Sequence, residues 1–362
     1  MQWKFSEEQD AYREALRGWL GDVAGSEQVR AWWGLDGGAP DHSGFEKRWV
    51  ADGMAGVGIP EELGGQGGGL VELAITAEEL ARVAAPSSAW LATVLALSAL
   101  TKRPDLVEVA LDGGHAAIAV AAESAPDAAP TLDVDAGGRV SGVVARVLGA
   151  DRAGLLVVRA GSGAAAHLRV VETSAPGVTV TPRRLLDRSR SVADLVLSSA
   201  PSEALDGVDP AAVLGRATDV AAVLAAADAL GAMQRMLDLA VEYSGQRQQF
   251  GVPIGSFQAV KHAAATILVD VEAGRSGVYY AAASVDGDFP DCSLHAAAVK
   301  AQVTAAAGRA ADTALTMHGA IGYTWEHDLH LHFKRARLDE QLFGSVATWN
   351  ERIADGLELL PS

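Results

Sequence analysis

The sequence predicts a mainly α-helical protein with a central β-domain. Apolar residues recur at helical spacing in the first third, short β-prone runs divided by Gly, Asp and Pro follow, and long runs rich in small residues close the chain. These textures divide it into 1–112, an N-terminal helical domain, 113–205, a middle β-domain, and 206–362, a C-terminal helical bundle domain.

Each element has its own signal. Ser6 with Gln9 forms a capping box, after which Tyr12, Leu16, Trp19, Leu20 and Val23 share one helix face. A second helix reads from Leu70 to Ala84, and Pro86 stops it. The glycine-rich stretch before it, "GIPEELGGQGGGL", follows no β-branched strand and precedes no Lys-Ser/Thr pair. It reads as a flexible connection rather than a phosphate cradle. Six runs, "AAIAV", "RVSGVVARVL", "GLLVVR", "HLRVVE", "GVTVTP" and "VADLVL", predict strands of a compact sheet or barrel, with a turn at Asp135-Ala136-Gly137-Gly138. Helices then read from Pro210 to about Gly245, Ser256 to about Val285, Cys292 into Leu315 and Val346 to Leu360. Their small residues suit close bundle packing.

Composition excludes several functions. With 49% hydrophobic and 21% charged residues over 362 positions, the chain can bury a large core. Its 46 acidic residues against 29 basic ones give a formal charge of −17, which argues against a nucleic-acid surface. Cys292 is the sole cysteine and has no partner within the chain, as suits a reducing compartment. No secretory apolar region opens the sequence and charges interrupt every apolar run, so no membrane partner and a cytoplasmic location are expected.

One stretch breaks the helical pattern: "RQQFGVPIGSFQAVKH". Gly251 and Pro253 interrupt the chain, Ser256 can cap the next helix, and Arg247, Phe250 and Gln258 fall at one end of a helical hairpin. Arg offers paired donors to a pyrophosphate, Phe can stack on a purine, and the Gln amide can both donate to and accept from an adenine edge. On spacing alone the ordinary reading, a surface Arg, a core Phe and a turn-capping Gln, is favoured over ligand binding. Two basic groups, Arg183, Arg184, Arg188 and Arg190, and Lys334, Arg335 and Arg337, could attract the phosphates of a ligand or dress a subunit contact. A metal site is not expected: His327 and His330 stand at i, i+3 on a helix face, but no second ligand cluster accompanies them.

The same stretch closely resembles the Arg-x-x-Phe-Gly … Phe-Gln signature of acyl-CoA dehydrogenases. "FSEEQDAYREALRGWL", "GIPEELGGQGGGLVELAITAEELARV" and "MHGAIGYTWEHDLHLHFKRA" resemble the family's first helix, Pro-Glu … Gly-Gly segment and C-terminal Gly-Gly-x-Gly segment, in the family's order. The resemblance implies FAD, a C-terminal four-helix bundle, dimers of dimers, an acyl-CoA substrate and an acceptor such as electron-transfer flavoprotein. It also implies that Arg247, Phe250 and Gln258, with Gly319 beside them, hold the adenine end of FAD bound to a neighbouring subunit. Two departures qualify this. Phe343 stands at the usual position of the catalytic Glu and Ala221 at the alternative one, so no catalytic residue is assigned. "AVAAESAPDAAP" and "VVARVLGADRAG" replace the segments that line the flavin ring, Thr316 replaces a Gln, and Ala320 replaces the second Gly.

That asymmetry resembles the degenerate member of paired acyl-CoA dehydrogenases of actinobacterial steroid side-chain degradation. There a homologous catalytic subunit completes an α2β2 heterotetramer. The resemblance implies a chain that is active only with such a partner. The alternatives are a self-sufficient homotetrameric dehydrogenase with a relocated base among Asp228, Asp339 and Glu340, a flavin monooxygenase on the same fold, and a purely structural subunit.

Overall fold

The computed structural model describes residues 4–161 and 166–357. Eleven α-helices and ten strands are defined among them. In the first part these are α1 (Glu7–Val23), α2 (Ser26–Trp32), α3 (Ser43–Ala51), α4 (Leu70–Arg82), α5 (Ser88–Leu100) and α6 (Pro104–Val109). The middle holds β1 (Ala116–Ile118), β2 (Thr131–Val134), β3 (Arg139–Leu148), β4 (Leu155–Ala160), β5 (His167–Glu172), β6 (Val178–Arg183), β7 (Val192–Pro201) and β8 (Glu203–Ala204). The last part holds α7 (Pro210–Gln246), β9 (Gln248–Gln249), β10 (Val252–Pro253), α8 (Gln258–Asp286), α9 (Cys292–His318), α10 (Leu329–Asp339) and α11 (Val346–Gly356). The order, helical then sheet then helical, is the predicted one.

By packing, the chain forms two compact units. One comprises 1–31, 70–85 and 222–362, and the other 32–69 and 86–221. In the second unit the strands form one curled sheet in the order β6-β7-β3-β2-β4-β5-β8, with β1 parallel to β4. Alternation explains its core: Val140, Val144 and Val147 of β3, Leu156 and Val158 of β4, and Leu195 and Leu197 of β7 turn inward, where Ala92 of α5 joins them. The turn after β2 is closed by Asp135, whose Oδ1 accepts the N–H groups of Gly137 and Arg139 at 2.9 Å each. The glycine-rich stretch is ordered rather than flexible, because Gly67 N–H donates to Ile59 O and Gly58 N–H to Gly67 O at 2.8 Å each.

In the first unit α1 starts at the predicted Ser6 capping box and buries Leu16 and Leu20. Its polar face is held by α4. Arg13 reaches Glu78 at 2.9 Å and Glu79 at 3.0 Å, Arg17 donates to Glu79, and Tyr12 Oη lies 2.7 Å from Thr76 Oγ1. Glu78 is fully buried and also takes Arg275 and the Tyr279 hydroxyl from α8. The helix α7 is long and apolar enough to cross a membrane by length and composition, a match that the sequence reading passed over. However, 83% of that apolar window is buried inside the protein, as befits a core helix.

Candidate functional site

The break in "RQQFGVPIGSFQAVKH" is a two-residue β-hairpin. Gln249 pairs with Val252 and Gln248 with Pro253, leaving Phe250 and Gly251 as the loop. Both have positive φ, 53° and 80°, the combination that a type I′ turn requires. Glycine adopts it freely, whereas a phenylalanine there costs about 1–2 kcal/mol. Phe250 is nonetheless 93% exposed, touching Phe257 edge-on at 6.2 Å. Burial therefore offers it no compensation, and the reading of Phe250 as a core residue is overturned.

Arg247 and Gln258 flank the hairpin and are exposed. Ser256 does not cap α8: its hydroxyl donates to Pro253 O at 2.7 Å, and Phe257 holds the cap position without a side-chain bond. Gln258 opens the helix, with its amide nitrogen 3.5 Å from His262 Nε2.

Gly319 closes α9 with φ 64° and ψ −143°, a backbone conformation essentially confined to glycine. A Cβ built there meets nothing within 4 Å, so the backbone lies open to a neighbour. Tyr243, four residues before Arg247, accepts the Arg247 N–H at 2.8 Å on its carbonyl. The Tyr243 ring stacks on His318, the residue before Gly319, at 4.9 Å and 19°. Arg247, Phe250, Gln258 and Gly319 thus share one end of the C-terminal helices. Sequence reasoning missed Tyr243 and His318 as the link between them; an aromatic ring and an imidazole just before two chain reversals were the available signal.

The usual base positions hold apolar groups. Phe343 is 2% exposed with φ 60°, and Trp349 Nε1 donates to its carbonyl at 3.1 Å. Ala221 is 0% exposed. Beside the Phe343 turn, the buried Lys300 Nζ donates to Asp339 O at 2.8 Å and Gly344 O at 3.2 Å. Burial lowers the Lys300 pKa to about 8 against the opposing pull of Asp339 and Glu340. Asp228 is gripped by Arg335 through two bonds of 2.7 Å, inside the protein. Asp339 is fully buried, and Glu340 accepts from Arg337 at 2.8 Å.

In the sheet unit, the two segments that depart from the family pattern are tied to each other. Arg146, at φ 52°, pairs with Glu123, and its carbonyl accepts the Ala122 N–H at 2.9 Å. The arginine groups are dispersed rather than clustered. Arg183 binds Asp194 at 2.6 Å, Arg188 donates to Gly34 O at 3.1 Å, and Arg190 is 3% exposed. In the other unit Arg335 is fully buried, Arg337 binds Asp312 at 2.5 Å, and Lys334 lies 3.9 Å over the Trp325 ring. His327 precedes α10 instead of sharing its face with His330; its Nδ1 accepts the Leu329 N–H at 3.2 Å. Among the described residues no three His, Cys, Asp or Glu gather as a metal site would need.

Comparison with known proteins bears on this geometry. Residues 6–102 match the family description "acyl-CoA dehydrogenase, N-terminal domain" and residues 211–358 match "acyl-CoA dehydrogenase, C-terminal domain". The chain belongs to the acyl-CoA dehydrogenase family. Acyl-CoA dehydrogenase FadE34 of Mycobacterium tuberculosis is 35% identical over 96% of this chain, which spans 48% of that protein's length. Acyl-CoA dehydrogenase IpdE2 of the same organism is 33% identical over 94% of each. Among solved structures, the ChsE4-ChsE5 complex from Mycobacterium tuberculosis aligns over 100% of both chains with TM-score 0.87 and 25% identity. A Tcur3481-Tcur3483 steroid ACAD variant aligns over 96% of this chain and 97% of its own with TM-score 0.85 and 26% identity.

Proposed function

We propose that this acyl-CoA dehydrogenase acts as one subunit of a heteromeric enzyme, giving the adenine end of an FAD site to a homologous catalytic partner. The observation that carries the reading is Phe250: an almost wholly exposed aromatic ring in a costly backbone conformation, at the end of the helices where Arg247, Gln258 and Gly319 are also exposed. An AMP moiety asks for a flat apolar surface, paired donors for phosphate and an amide for the adenine edge, and these residues supply that set. The open backbone at Gly319 leaves room for it.

FAD, when bound, accepts the hydride that leaves the β-carbon of the acyl group. This chain's share is to bind and orient. Arg247 would hold the diphosphate, Phe250 would cover the purine and Gln258 would read its edge. Proton removal falls to the partner, since Phe343 and Ala221 carry no titratable group. Alanines and valines of "AVAAESAPDAAP" and "VVARVLGADRAG" stand where the family's ring-lining hydroxyl and amide donors would be. By analogy with the steroid ACAD and ChsE4-ChsE5 assemblies, the complex is α2β2, its substrates are steroid side-chain CoA esters, its acceptor is of the electron-transfer flavoprotein type and its location is cytoplasmic. The divisions 1–112, 113–205 and 206–362 remain the proposed domains.

A self-sufficient enzyme with a relocated base is the second reading. Against it stand the full engagement of Asp228 by Arg335 and the burial of Asp339. The test is to purify the chain alone and with a homologous acyl-CoA dehydrogenase subunit from the same organism, then to measure bound flavin and oxidation of a steroid-type acyl-CoA. Full flavin and turnover in the lone chain would overturn the proposal.

A further inference from the structure

Behind the exposed site residues lies a group of rings to which no role has yet been given. His318 and His327 sit 4.6 Å apart at 63°, and Tyr243 contacts both, at 4.9 Å and 6.3 Å. The cluster stands between the Arg247 turn, through Tyr243, and Gly319, through His318. Sequence position and stacking thus place two imidazoles directly behind the backbone over which an anion would lie.

The protonation of these rings can be read from their bonds. His318 Nδ1 lies 2.7 Å from the Ala314 carbonyl, so that nitrogen carries the proton. Its Nε2 is then a buried lone-pair acceptor with no hydrogen bond among the described residues, and the Leu239 carbonyl that also faces the ring is itself an acceptor, so the neutral ring cannot use it. A buried acceptor of this kind is costly to leave unmet. In His327, Nδ1 accepts the Leu329 N–H, which leaves the proton on Nε2. Both rings are held neutral chiefly by burial. For His327, Asp328 and Glu242 oppose that effect and Arg235 adds to it; for His318, the Ala314 and Leu239 carbonyls oppose it and His327 adds to it. Tyr243 and Glu242 face the cluster from α7, and Asp328 faces it from the start of α10.

We infer that the His318–His327 pair is a proton-accepting element of the nucleotide site, taking up a proton when a diphosphate anion settles beside Gly319. An anion there stabilises the imidazolium, whose new Nε2–H can donate to the Leu239 carbonyl. Linkage then requires binding to tighten as pH falls toward the imidazole range.

This rests on the proposed nucleotide site, and ADP serves as the probe. Calorimetric titration of the full chain at pH 8 and pH 6, in two buffers of different ionisation enthalpy, reads affinity and proton uptake together. Binding should be severalfold tighter at pH 6, with a fraction of a proton taken up per ADP. His327→Asn, checked for folding by its melting curve at pH 8, should reduce both the tightening at pH 6 and the proton uptake. ADP binding with no proton uptake, or equal pH profiles in the wild type and His327→Asn, would overturn the inference while leaving the site reading intact. Absence of ADP binding at both pH values, or binding unaffected by Arg247→Ala, would overturn the site reading and this inference with it.

Discussion

Phe250 and Gly319 make opposite demands on their backbone, and substituting each separates structure from binding. Phe250→Gly removes a side chain that is 93% exposed and relieves the strain at φ 53°. It should raise stability by about 1 kcal/mol in urea denaturation, while weakening any nucleotide contact. Loss of stability would show that Phe250 is part of the fold after all. Gly319→Ala meets no atom within 4 Å, so its whole effect is backbone strain at φ 64° and ψ −143°. A destabilisation of about 1–3 kcal/mol is expected, and a melting temperature equal to wild type would contradict the geometry. His332 adds a pH dependence at the same scale. Burial, then Arg235 and Arg335, lowers its pKa from 6.5 to about 3. Between those values the unfolded chain binds the proton and the folded one does not, so stability is full above pH 6.5 and falls as pH drops below it. At pH 5 the loss is about 2 kcal/mol, and His332→Asn should flatten that acid limb in denaturation curves taken from pH 7 to pH 5.

At the scale of the element, α1 is fastened to α4 more by charge than by apolar area, since only Leu16 and Leu20 of its residues are buried. Glu79 holds both Arg13 and Arg17 with its side chain 2% exposed, and those contacts keep its carboxyl below the usual range despite burial. Glu79→Gln leaves two arginines short of their acceptor and should cost about 3 kcal/mol. Amide exchange localised to 7–23 is the readout, and unchanged protection there would show that α1 is held by its apolar face alone. The same balance explains what the sequence could reveal. Strands β3 and β7 are legible because their apolar residues alternate, β6 through its Val-Thr alternation, and β4 because it is a continuous apolar run. Strand β2 has only four residues and the hairpin strands have two each, too few for a period. The extent of helix α10 is not legible beyond a histidine pair, because its inward positions include His332, Arg335 and Asp339, buried polar groups that defeat an apolar pattern. In the site, residue types were readable but exposure was not: nothing in "RQQFGV" says that Phe250 faces outward, because an I′ turn with Phe in its first position goes against preference.

For the whole molecule the decisive quantity is stoichiometry. If the chain offers a nucleotide end but no base, as proposed, it cannot complete a site with copies of itself, whatever their number. In a closed homotetramer every subunit would present both halves of a site, and flavin would match chains one to one. If only the partner supplies the ring end, half of the possible sites vanish, and the complex should hold about one flavin for every two chains. Flavin absorbance against total protein, on material resolved by size, distinguishes the two ratios. Charge points the same way: copies of a −17 chain repel, so self-association should be weakest at low ionic strength and recover as salt screens it. A partner whose surface complements that charge would show the reverse, binding most tightly at low salt. Sedimentation of the lone chain and of the pair across a salt series reads both slopes, and a flavin ratio of one per chain in the lone protein would remove the need for a partner.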